Sequence, residues 1–217
     1  MRYVRFYLDF VSPYVWLALR HAKVLAEERD FRWEFAPVVY SALLKEHGLV
    51  GPVERPAKKE YTAIDVARCA ALLGLELNPP PTHPFRSIEA GRTLCVFSSY
   101  RECLDIAVAI GDAAWLEGRD ITDIEVLREC VAKSGLDETN LATAIEDPAV
   151  KQQLRDNTEQ AIRNGIFGVP TFAYKTQLFW GHDRMDQLVM AVEGTLPRVL
   201  DSARAFITRP PGATQKR

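Results

Sequence analysis

Apolar and polar side chains alternate at the start of the chain, where Tyr3, Val4, Phe6, Tyr7 and Leu8 make an aromatic-rich run over 3–9. That pattern predicts a β-strand. Ser12-Pro13 follows, a residue suited to a helix N-cap and then one suited to the first helical position. Trp16, Leu17, Leu19, Val24 and Leu25 continue at helical spacing, which predicts a helix ending near Glu28. Phe31 to Phe35 reads as a second strand, so the chain opens β-α-β. From Tyr40 to about Asn164 helical periodicity prevails. Helices are expected at 58–74, 86–100, 102–117, 122–134, 138–146 and 149–164. Three consecutive prolines make Asn78–Pro84 a loop. After Gly165 the period shortens again, and Thr171–Tyr174 and Gln177–Trp180 read as a hairpin turning at Lys175-Thr176. Met185, Leu188, Val189 and Val192 predict a closing helix.

Composition narrows the classes. Of 217 residues, 47% are apolar, enough for a sizeable core. Charged residues are 26% with a net charge of −2, and no basic cluster suggests a nucleic-acid partner. No apolar run reaches the roughly 18–20 residues of a membrane span. Arg5 and Asp9 break the N-terminal apolar positions, so no signal peptide is expected and the expected location is the cytoplasm. Cys69, Cys95, Cys103 and Cys130 form no C-x-x-C and no zinc spacing. Free thiols and no metal are expected.

Four places carry candidate chemistry. Ser12 stands at a helix N-terminus, which favours an anion. It is either a plain cap or a hydroxyl donor to a bound thiolate, and it cannot form a disulfide itself. Val169-Pro170, just before a strand, is a candidate cis peptide. It is either a turn or an exposed backbone edge able to pair with a short extended peptide such as glutathione. His182 and Asp183 precede the last helix. They either start it, with Asp183 as its cap, or face the Ser12 site and hold the charged ends of a γ-glutamyl group. Lys58 and Lys59 oppose the dipole at the start of their helix, as ligand-binding groups or as solvated charges.

Taken together, Phe6-Tyr-Leu-Asp-Phe-Val-Ser-Pro-Tyr-Val-Trp-Leu-Ala18, Arg55-Pro-Ala-Lys58, Gly165-Ile-Phe-Gly-Val-Pro-Thr-Phe172 and Phe179-Trp-Gly-His-Asp-Arg-Met-Asp186 resemble the 2-hydroxychromene-2-carboxylate isomerase family. That family groups with the kappa-class glutathione transferases in the DsbA-like branch of the thioredoxin superfamily. The expected fold is α/β and thioredoxin-like, with a large all-helical insertion. Residues 1–38 and 165–205 would form the thioredoxin-like part, 39–164 the insertion and 206–217 a disordered tail. The resemblance implies glutathione as cofactor, with Ser12 at its sulfur and Val169, before Pro170, on its cysteinyl backbone. It places His182 and Asp183 at the γ-glutamyl end and Lys58 near the pocket. Tyr14 and Arg86 are the expected substrate-pocket residues. A homodimer is implied, as is a small aromatic or conjugated carboxylate substrate from naphthalene-type catabolism. Leu49, Val50, Arg86 and His182 depart from the family pattern and leave the exact substrate open.

Two further readings compete. A kappa-like transferase or peroxidase would use the same thiol site and consume glutathione. A non-catalytic thioredoxin-fold binding module would not bind glutathione at all. A disulfide oxidoreductase is disfavoured, because Ser12-Pro-Tyr-Val15 stands where Cys-x-x-Cys would be.

Overall fold

The structure, a computed structural model, describes residues 2–29, 31–197, 203, 207 and 208. The tail expected at 206–217 lies outside the described residues, apart from Ile207 and Thr208.

Strand β1 (Arg2–Leu8) leads into helix α1 (Pro13–Glu28) and strand β2 (Phe31–Pro37). Strands β3 (Thr171–Tyr174) and β4 (Gln177–Trp180) follow late in the chain, then helix α9 (Met185–Glu193). The sheet order is β2-β1-β3-β4, with β1 parallel to β2 and antiparallel to β3. This is the thioredoxin-like arrangement expected. Register puts Phe35, Phe6, Phe172 and Phe179 in one row across all four strands. Phe6 lies 5.6 Å from Phe35 and 4.6 Å from Phe172 between ring centroids, so these three rings pack as an aromatic ladder.

Both faces of the sheet are covered. On the Phe6 face, Trp33 donates its indole N–H to the Ala22 carbonyl of α1 at 3.0 Å. On the other face, Asn164 donates to the Tyr7 hydroxyl at 3.1 Å, and Arg5 donates to Gln160 at 2.9 Å. Two-sided burial explains why Tyr7 is as buried as its neighbours Phe6 and Leu8.

Residues 39–164 contain no strand. They form α2 (Tyr40–Glu46), a short 3-10 turn at Pro52–Glu54, α3 (Pro56–Leu72), α4 (Ile88–Val96), α5 (Tyr100–Trp115), α6 (Ile124–Lys133), α7 (Leu141–Ala144) and α8 (Pro148–Arg163). Several boundaries differ from expectation for local reasons. The helix expected at 86–100 stops at Val96, because Phe97 and Ser99 take extended conformations. The Phe97 carbonyl instead accepts from the Cys103 thiol at 3.4 Å. The helix expected at 138–146 shrinks to four residues. Asp137 takes the Thr139 N–H at 2.9 Å, an Asx turn that delays the start. Helix α3 starts earlier than 58, with Pro56 at its first position.

All four cysteines are free, and each lies in a helix. Cys103 and Cys130 are buried, Cys69 and Cys95 half-buried. Burial pushes the Cys95 thiol up to about 12, and Cys103 and Cys130 each to about 11.

Candidate active site

A cavity of about 620 Å³ opens where the turn after β1 meets the start of β3. Ser12, Tyr14, Arg86, Val169, Pro170, His182 and Asp183 all line it, although they come from opposite ends of the sequence. The sheet order accounts for this. With β1 next to β3, the turn after β1 and the approach to β3 share one edge.

Ser12 is the N-cap of α1 with Pro13 in the first helical position, but its side chain makes no capping bond. Its hydroxyl instead donates to the Val169 carbonyl at 3.4 Å. That is long for an O–H···O bond, so the hydroxyl is only weakly engaged. Val169-Pro170 is cis, and so is His83-Pro84, which the sequence reading placed only in a loop.

Tyr14 donates its hydroxyl to Asp65 Oδ2 at 2.7 Å, and its ring stacks on His182 with centroids 5.2 Å apart and planes 10° from parallel. Burial, then the hydrogen bond and charge of Asp65, push the Tyr14 phenol well above its usual range. The phenol is therefore protonated and committed to Asp65, and what Tyr14 presents to the cavity is a wall. Burial lowers the His182 pKa, so its ring is neutral at neutral pH.

Asp183 does not cap α9, contrary to the capping reading. Gly181, at φ 110°, starts a 3-10 turn at His182–Arg184, and the N-cap of α9 is Arg184. The Asp183 carboxylate pairs with the Arg184 guanidinium at 2.9 Å. Arg86 lines the rim and pairs with Glu89 at 2.7 Å while staying largely exposed. Lys58 is exposed on the first turn of α3 and is not among the lining residues. The charge of its neighbour Lys59 does reach the site, where it helps lower the His83 pKa behind the larger effect of burial.

The lining residues that the sequence does not single out include Asp9, His83 and Asp65. Asp9 sits inside the very motif that carries Ser12, and an acid set within the apolar run Phe6-Tyr-Leu-Asp-Phe10 is the signal the sequence offers. The sequence pattern assigns Trp180 only to a strand. Its indole stands over Gly168 and meets Phe167 edge-on at 4.8 Å.

The profile of the DSBA-like thioredoxin domain matches residues 3–193. A 2-hydroxychromene-2-carboxylate isomerase from Sphingobium xenophagum is 31% identical over 191 residues, covering 85% of this chain and 95% of the relative. The chain belongs to the DSBA-like thioredoxin family, within its 2-hydroxychromene-2-carboxylate isomerase group. The enzyme of that name from Pseudomonas sp. (strain C18) is 29% identical, over 88% of this chain and 90% of the relative. Human glutathione S-transferase kappa 1 is 27% identical, over 86% and 89%. The solved structure of a 2-hydroxychromene-2-carboxylate isomerase superposes with a TM-score of 0.81, covering 95% of this chain and all of that one. At 24% identity it is a likeness of fold. Membership of this family fits the thioredoxin-like scaffold described above.

Proposed function

We propose that this protein is a glutathione-dependent isomerase acting on 2-hydroxychromene-2-carboxylate and its open trans-o-hydroxybenzylidenepyruvate form, within naphthalene-type catabolism. The observation that carries this reading is the convergence of a weakly engaged Ser12 hydroxyl and the Val169-Pro170 backbone on one cavity.

The residues present fit glutathione. The long Ser12 bond to the Val169 carbonyl can be exchanged for a bond to a sulfur anion, which a helix N-terminus also favours. Val169 lines the cavity just before Thr171 enters its ladder with β1, and its backbone would pair there with the cysteinyl part of the tripeptide. His182 and Asp183 stand on the rim, where they would hold the γ-glutamyl end. None of the four cysteines is among the residues that line the cavity, and desolvation raises the pKa of each thiol. A nucleophile at Ser12 must therefore come from outside. When bound, glutathione would supply a thiolate that adds to the conjugated double bond and leaves again, so that the bond can rotate and the cofactor is regenerated. Tyr40, Leu44, Val53, Phe85 and Ile88 give the cavity an apolar wall suited to an aromatic ring, and Arg86 stands at the rim for a carboxylate.

The test follows isomerisation by absorbance with and without glutathione. Turnover that needs glutathione and leaves its concentration unchanged is the expected result. No turnover, or the same turnover without glutathione, would overturn the reading. The likeness to a kappa-class transferase favours one alternative, conjugation of glutathione to an electrophile. Loss of glutathione in proportion to product would identify it. The implied homodimer has exposed apolar side chains available on α3, among them Tyr61, Ile64 and Leu72. Sedimentation at dilute concentration tests that association.

A further inference from the structure

The turn that carries Ser12 is held by groups to which the proposed chemistry gives no part. Both peptide groups of Val11 are engaged. Its N–H donates to Asp9 Oδ1 at 3.1 Å, and its carbonyl accepts from His83 Nε2 at 2.9 Å. A carbonyl can only accept, so His83 carries its proton on Nε2. Burial lowers the His83 pKa, which keeps this single-proton form at neutral pH. Ser12 adds its own N–H to the Asp9 carbonyl at 3.1 Å.

Asp9 also reaches beyond the turn. Its side chain accepts the Tyr40 N–H at 2.8 Å on Oδ2 and the Ser87 hydroxyl on Oδ1. Tyr40 opens α2 and Ser87 is the N-cap of α4. The acid is only 7% exposed, and both its oxygens are occupied. His83 brings in the proline-rich loop before α4. The helical segment between β2 and β3 thus grips the Ser12 turn from two sides.

We infer that Asp9 and His83 are positioning residues that clamp the Val11 peptide and so aim the Ser12 hydroxyl into the cavity. The clamp is specific to a carboxylate at position 9. Val11 and Tyr40 approach different oxygens, so an asparagine there, whichever way its amide is turned, sets an NH2 against one backbone N–H. At position 83 the clamp needs one donor, which glutamine keeps and leucine lacks.

The inference rests on the glutathione reading only for its second readout. The first is amide hydrogen exchange of the ligand-free protein. Asp9→Asn and His83→Leu should speed exchange at Val11 and Ser12 by roughly tenfold or more, and His83→Gln much less. The second is the ultraviolet titration of glutathione thiolate in the presence of protein. Asp9→Asn should raise the bound thiol's pKa, and the same substitution in a Ser12→Ala background should add nothing further. Unchanged exchange in folded His83→Leu, or an Asp9→Asn effect of equal size without the Ser12 hydroxyl, would overturn the clamp. If Asp9→Asn does not fold, the His83→Leu and His83→Gln pair reads both outcomes. If wild-type protein does not ionise glutathione, the cofactor reading fails, while hydrogen exchange still decides the clamp.

Discussion

At position 12 the chain places a hydroxyl on a turn whose helix favours negative charge, and that hydroxyl has only a long bond to a carbonyl. A charge-assisted bond to sulfur would replace it at little loss. Ser12→Ala should therefore cut glutathione-dependent turnover by roughly 10- to 100-fold, the worth of one such bond, with little change in the thermal midpoint. Steady-state rates beside a melting curve check this. Tyr14 behaves in the opposite way. Its hydroxyl is committed to Asp65 at 2.7 Å, so Tyr14→Phe removes the short bond to a half-buried carboxylate and leaves it the long 3.4 Å bond from Tyr61. A loss of about 1 kcal/mol in urea unfolding is expected. Ser12, Val169, Pro170 and His182 were legible as site candidates because each sits beside proline or glycine, where the chain visibly changes element. Asp65 and His83 were not. Their partners Tyr14 and Val11 lie far away in sequence, and an acid mid-helix or a histidine among prolines reads as solvated until the fold brings them together.

The strands and the long helices followed from their periodicity, and the elements that did not are those set by side-chain-to-backbone bonds. Asp137 shortens α7 by taking a backbone N–H, and Gly181 inserts a 3-10 turn that moves the cap of α9 from Asp183 to Arg184. Periodicity is blind to such local competition. The segment before β3 shows the same dependence on one residue. A Cβ added at Gly168 would lie 2.5 Å from the Trp180 indole nitrogen. The indole is itself pressed on by Phe167, so it must swing or the backbone before Pro170 must shift. Gly168→Ala should cost about 1–3 kcal/mol, the usual range for overpacking. It should also change tryptophan emission and weaken glutathione binding together. A stability loss with the emission unchanged would place the strain elsewhere than Trp180.

Across the whole molecule, burial sets how stability responds to pH, and the two kinds of group at the cavity act in opposite senses. His83 and His182 have folded pKa values lowered from 6.5, mainly by desolvation. Below 6.5 the unfolded chain binds protons that the folded protein refuses. Their contribution is thus present above 6.5 and is lost as pH falls through their lowered folded values. Asp9 has a folded pKa raised from 3.8, again by desolvation, which outweighs its three hydrogen bonds. There the folded protein binds its proton first, so this contribution is full below 3.8 and is lost as pH rises through the raised value. Acidification from neutral pH should therefore destabilise the protein first through the histidines. Protonation of Asp9 then offsets part of that loss. Urea midpoints measured from about pH 7.5 down to about pH 4.5 would show it. Replacing both His83 and His182 by Gln should flatten the fall below 6.5. A fall of the same steepness in that double variant would overturn the assignment to these two histidines, and the ion-paired Glu129 and Glu146 could not replace them, because their lowered pKa values confine their loss to below 4.5.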